Sequence, residues 1–142
     1  MKFTYIHKVL STLLVSSLAA LNAHAHELAL HVDHITKTKG VMMIALYNSA
    51  ESYKSDKNAF NGKKIAVTQG ALTVNFGDVP AGDYAIKLYQ DENENGVIDK
   101  NVIGIPTEGY GFSNNGGAMG PPSFDEAKFS VTGKTAISIH LR

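Results

Sequence analysis

The chain has 142 residues, 13 of them basic and 13 acidic, with no cysteine and no tryptophan. The balanced charge lacks the basic patch that nucleic-acid binding requires, which argues against that function. Zero cysteines exclude a disulfide framework, so stability must come from packing, aided at most by a metal.

Residues 1–25 read as a secretory signal peptide. Lys2 and Lys8 give a positive start, Val9 to Leu21 is an apolar run broken only by Ser and Thr, and Ala23-His24-Ala25 is an A-x-A cleavage site. The apolar run is too short for a comfortable membrane span, and no lipobox cysteine is present. Cleavage after Ala25 leaves 117 residues, His26 to Arg142, with 11 basic and 13 acidic groups and a formal charge of −2. That length suits one domain in the periplasm or the external medium, with no stable membrane span.

The remaining chain reads as strands. Glu27 to Ile35 alternates, with Leu28, Leu30 and Val32 on one face. Val41 to Tyr47 is a continuous apolar run of strand length. Asn48 to Asn61 is polar, with a short helical turn and with Tyr53 and Phe60 pinned to the core. Lys63 to Gln69 and Ala71 to Phe76 alternate through Ile65, Val67, Leu72, Val74 and Phe76, and read as a hairpin. After Val79-Pro80-Ala81-Gly82-Asp83, a strand runs from Tyr84 to Gln90 with Tyr84, Ile86 and Leu88 inward. Its first Tyr is placed to hydrogen-bond back to the turn, as in a tyrosine corner. Residues 100–127 form a long glycine- and proline-rich connection, and Ala127 to Val131 and Thr135 to Leu141 close the chain as strands. About seven strands predict an all-β, antiparallel Greek-key sandwich of immunoglobulin-like or transthyretin-like type, with a small closed barrel as the alternative.

The chemistry concentrates in Asp91-Glu92-Asn93-Glu94-Asn95-Gly96-Val97-Ile98-Asp99. Side-chain oxygens recur at 91, 93, 95 and 99, and Gly96 permits a sharp turn. Ca²⁺ takes six to eight oxygens in such loops. Asp91, Asn93, Asn95 and Asp99 would supply side-chain oxygens and Val97 its carbonyl, with Glu108 or Asp125 closing the shell. The loop is not an EF-hand: Val102 stands where the bidentate Glu belongs, and the preceding segment is a strand. The other reading is an acidic hairpin turn, for which Asn-Gly is a strong signal by itself.

Three further constellations are weaker. His26, His31 and His34 suit copper by type, but on an alternating strand His26 and His34 share one face and His31 takes the other; His140 lies in another strand. Ser113 sits outside any G-x-S-x-G elbow, and Glu108 with Asp125 is an acid pair of unknown separation, so an enzyme is not expected. Tyr110, Phe112 and Phe124 give the long connection either a surface for a protein or small ligand or rings that plug the end of the sandwich.

The stretches Val79 to Ile86, Asp91 to Gly96, Gly104 to Asn114 and Pro121 to Ala127 resemble the bacterial domain-of-unknown-function family 2141. The proline–glycine–tyrosine turn is also similar to that of transthyretin-like and carboxypeptidase-regulatory-like sandwiches, with Ala81 as a small departure. The resemblance implies an exported β-sandwich and gives no reaction. The expectation is a non-enzymatic module stabilised by Ca²⁺ at 91–99, against a metal-handling or hydrolytic envelope enzyme using the same acidic end.

Overall fold

The computed structural model describes residues 26–142, so the signal-peptide reading of residues 1–25 lies outside the described residues. Eight strands and two short helices follow in order: β1 (Glu27–Asp33), β2 (Val41–Tyr47), α1 (Ala50–Ser55), β3 (Asn61–Ala66), β4 (Leu72–Asp78), β5 (Gly82–Asp91), β6 (Tyr110–Phe112), α2 (Phe124–Ala127), β7 (Phe129–Val131) and β8 (Thr135–His140). No helix among the described residues is long and apolar enough to cross a membrane.

The strands form two sheets, one in the order β4-β1-β8, the other β3-β2-β5-β6 with β7 also on β5. Alternation decides which side chains meet between them. Leu28, Leu30 and Val32 of β1, Met42, Ile44 and Leu46 of β2, and Tyr84, Ile86 and Leu88 of β5 all turn inward and are buried. Each such aliphatic side chain contributes about 1.5–3 kcal/mol by leaving water. The tyrosine corner is present: the Tyr84 hydroxyl donates to the Pro80 carbonyl at 2.7 Å.

Two pairings differ from the expected pattern. Residues 63–76 are not a hairpin. β3 pairs with β2 and β4 pairs with β1, so the chain changes sheets between Ala66 and Leu72. Buried Val67 and the bond from Ile35 N–H to Gly70 carbonyl hold that crossing. The second difference is that β8 lies parallel to β1, while every other pairing is antiparallel. Phe60, expected on the core, is 40% exposed and only edges against Tyr84.

The sheets are stitched together beside β6. Tyr110 and Arg142 exchange both backbone bonds, at 3.1 and 3.0 Å. Gly111 allows this approach, because a Cβ there would fall 2.5 Å from Ile139 Cγ2. The outer edge of β8 is covered by one side chain. The Asn115 amide accepts from His140 N–H at 2.8 Å and donates to the Ser138 carbonyl at 3.4 Å, as a neighbouring strand would.

Candidate functional site: an acidic loop beside an aromatic groove

β5 ends at Asp91, and the loop that follows is closed by its own hydrogen bonds. Asp91 is buried; its carboxylate accepts from Asn95 N–H at 3.0 Å and from Gly96 N–H at 2.8 Å. Asn93 and Asn95 each accept from a backbone N–H two residues on, Asn95 and Val97 respectively, in Asx turns. Both amides donate to Asp99, at 2.7 and 2.9 Å. Glu108, also buried, reaches back from the long connection. It accepts from Glu92 N–H at 2.8 Å and from Asp99 N–H at 2.9 Å, spanning the neck of the loop.

The base of the loop rests on the connection between β1 and β2. The buried Gln90 amide donates to the carbonyls of Lys37 and Lys39. The ammonium groups of these lysines hold Glu92 at 3.0 and 3.2 Å. Burial pushes the Glu92 carboxyl up, but the two lysines together outweigh it and leave the group below the usual carboxylate range. Gly40 has φ +67°, and a Cβ there would lie 2.1 Å from the Asp91 carbonyl oxygen, so the backbones touch.

The structure therefore gathers Asp91, Asn93, Asn95, Asp99 and Glu108. Asp125 is elsewhere: on α2 it pairs with Lys128 at 2.9 Å, and the following β7 joins β5 at Gly82–Tyr84. Asp91 lies seven residues further along β5 than Tyr84, about 20 Å at the rise of a strand. Glu108 and Asp125 thus form no acid pair. Val97 is exposed on the side of the loop that faces a groove.

That groove encloses about 970 Å³ on the outer face of the five-stranded sheet. Its floor is made by residues that alternation turns outward: Met43, Ala45 and Tyr47 of β2, Lys87 and Tyr89 of β5, and Tyr110 and Phe112 of β6. The walls are Gly96–Ile98, the segment around Ile105 and Pro106, and Gly117–Pro121. The Tyr89 hydroxyl ties floor to wall through the Gly96 carbonyl at 3.0 Å. The Tyr110 and Phe112 rings meet edge to face, with centroids 6.0 Å apart. Phe124 does not join them. It packs on Tyr53 in a small cluster with Tyr47, Ala85 and Ala127.

Lys87 closes one end of the floor. Its ammonium donates to the Tyr53 carbonyl and to Asp56, each at 2.6 Å, and lies 4.2 Å from the Tyr53 ring centroid. The Tyr53 hydroxyl beneath is buried with no hydrogen-bond partner, and burial together with nearby Asp56 pushes its ionisation up to about 12. Ser113 is a tie, not an exposed hydroxyl. Fully buried, it accepts from Ile86 N–H at 2.9 Å and donates to the Ala127 carbonyl at 2.6 Å, pinning the long connection to β5. The sequence did not single out Lys87 or Tyr89 as groove residues; the outward phase of the β5 alternation is the signal that marks them.

No curated protein and no solved structure matches the chain. One family model does, over residues 30–139, from within β1 to within β8, taking in the acidic loop and the groove. Its description is "Uncharacterized protein conserved in bacteria (DUF2141)", and the chain belongs to that family.

Proposed function

We propose that the chain is an exported, non-enzymatic binding module that holds a small apolar, ring-bearing molecule in the groove, with Ca²⁺ in the acidic loop stiffening one wall. The observation that carries the reading is the groove itself. At about 970 Å³ it is at the upper end of the range that encloses small molecules, roughly 300–1,000 Å³. Four aromatic rings, Tyr47, Tyr89, Tyr110 and Phe112, line it, and aliphatic Val97 and Ile105 stand exposed along its rim. Rings supply much of the contact energy in such sites.

The calcium part of the proposal is supported by the donor set. Asp91, Asn93, Asn95 and Asp99 are drawn into one loop, and the carboxylates of Asp91 and Glu108 are buried against backbone N–H donors. Burial with like charges nearby favours a cation. Ca²⁺ bound only by the folded state adds about 2.7 kcal/mol when it is a hundredfold above Kd.

Two titrations test the reading. Protein stripped with a chelator is titrated with Ca²⁺ by calorimetry, then with the dye anilinonaphthalene sulfonate by fluorescence. Dye affinity falls about tenfold, or about 1.4 kcal/mol, in Tyr89→Ala and Phe112→Ala, and Ca²⁺ heat disappears in Asp91→Ala with Asp99→Ala. Dye binding that ignores both ring substitutions removes the groove as the site. Absence of heat with Ca²⁺ reduces the loop to a hydrogen-bonded turn.

A further inference from the structure

On the opposite outer face lies a cluster unconnected with the groove or the acidic loop. Parallel pairing of β1 and β8 sets Asp33 opposite His140. The Asp33 carboxylate meets His140 Nδ1 at 2.5 Å. His34 would ordinarily point to the other face, since neighbours on a strand alternate. It does not, because β1 ends at Asp33 and His34 takes φ +59°, the left-handed region that His visits more readily than most residues. Its ring turns back and stacks on His140, with centroids 4.8 Å apart and planes at 25°. His34 Nε2 then lies 4.0 Å from the same Asp33 oxygen.

We propose that Asp33, His34 and His140 form a binding site for a divalent transition-metal ion of the Zn²⁺ and Cu²⁺ class. One ligand atom from each residue lies within 4.8 Å of the other two. A tetrahedral ion about 2.1 Å from each donor sets them about 3.4 Å apart. The short Asp33–His140 separation opens slightly, the long Asp33–His34 separation closes, and the ion replaces the proton between carboxylate and imidazole. Two imidazoles and one carboxylate suit Zn²⁺ or Cu²⁺ and not Ca²⁺, which takes six to eight oxygens.

The protein supplies both a fixed and an adjustable part. His140 is held from behind, its N–H donating to Asn115 Oδ1 at 2.8 Å, while the next residue, Leu141, donates to the Asp33 carbonyl at 3.0 Å. His34 has a side chain 67% exposed and is free to tilt from its stack until its lone pair meets the ion. Three protein donors leave the remaining position open to water, as in zinc sites that are not purely structural. Once loaded, the ion links β1 to β8 across the one parallel pairing of the sheets.

Zn²⁺ added to chelator-stripped protein tests this, by calorimetry together with imidazole proton shifts. The expected result is one ion per chain, shifts confined to His34 and His140, a raised unfolding midpoint, and at least tenfold weaker binding in His34→Ala and in His140→Ala. His26→Ala keeps the parent affinity. His140→Gln, which retains a polar side chain on β8, separates loss of the ligand from loss of the fold, because its metal-free unfolding midpoint should match the parent's while its Zn²⁺ binding does not. The proposal is overturned by absence of Zn²⁺ heat, by parent-like binding in His140→Ala or His140→Gln, or by loss of binding on His26→Ala.

Discussion

The two outer faces of this sandwich have had opposite fates. The face of the five-stranded sheet is walled at its margins by Gly96–Ile98, Ile105, Pro106 and the segment from Gly117 to Pro121, and the floor between them is mostly aromatic or aliphatic. The face of the three-stranded sheet presents His31, Asp33, Ser138 and His140, with no such walls among the described residues. The difference follows from connectivity. β5 and β6 are neighbours separated by 18 residues, and a connection so long must lie on something. Its Val97 and Ile105 stand along the margin of the sheet and help wall a groove there. β7 and β8 are joined by residues 132–134 alone, which can cover nothing. A walled face can select a molecule by shape; a bare face can act only through the chemistry of individual side chains.

Substitutions can break the contrast, beginning where the wall is rooted. Gly40→Ala places a methyl against the backbone of Asp91 in a left-handed conformation and should cost about 2–4 kcal/mol, read as a lowered midpoint in urea with the acidic loop exchanging its amide protons first. Ser113→Ala leaves Ile86 N–H and the Ala127 carbonyl without their buried partner. The expected loss is about 1–3 kcal/mol. Dye binding in the groove should weaken with it, because the long connection is then untied from β5.

Tyr53→Phe should work the other way. Removing a buried hydroxyl without a partner should stabilise the protein by about 1 kcal/mol. The parent should also lose stability as pH rises from 10, where the unfolded tyrosine ionises, through about 12, where the folded one does. The raised folded value makes the contribution complete below pH 10 and absent at the top of that window, and Tyr53→Phe should flatten this limb of the stability profile. The smallest effect concerns Glu92. Its lowered folded value means that its contribution is present above the ordinary value of 4.5 and lost as pH falls through the folded one. Replacing Lys37 and Lys39 by Ala should make the acid limb shallower, at a cost of under about 1 kcal/mol at neutral pH.

Much of the fold was legible in the sequence where the cause was local. The alternation of Leu28, Leu30 and Val32, and of Tyr84, Ile86 and Leu88, is set by the pleat of a single strand, and those residues are the core. Tyr84 reaches only four residues back to Pro80. The sequence offered Glu108 and Asp125 equally as closing ligands for a cation; only the fold sets Glu108 at the neck of the loop and Asp125 against Lys128. What failed was pairing at a distance. Val67 and Leu72 alternate equally well in a hairpin or on two different sheets, and nothing in the pattern says which. Nor does alternation foretell that Asp33 meets His140, a partner 107 residues away.

That separation sets an order of events in time. β1 has antiparallel β4 on one side, but its other edge remains open until residues 135–140 have been made and have returned to it. Closing so large a loop is the slow kind of step in folding. Until then the core lacks Ile137 and Ile139, the inward side of β8, and Tyr110 lacks the backbone partner that Arg142 provides. The three-stranded sheet is therefore completed last, while the pairing of β3, β2 and β5 in the other sheet does not wait for the C-terminus.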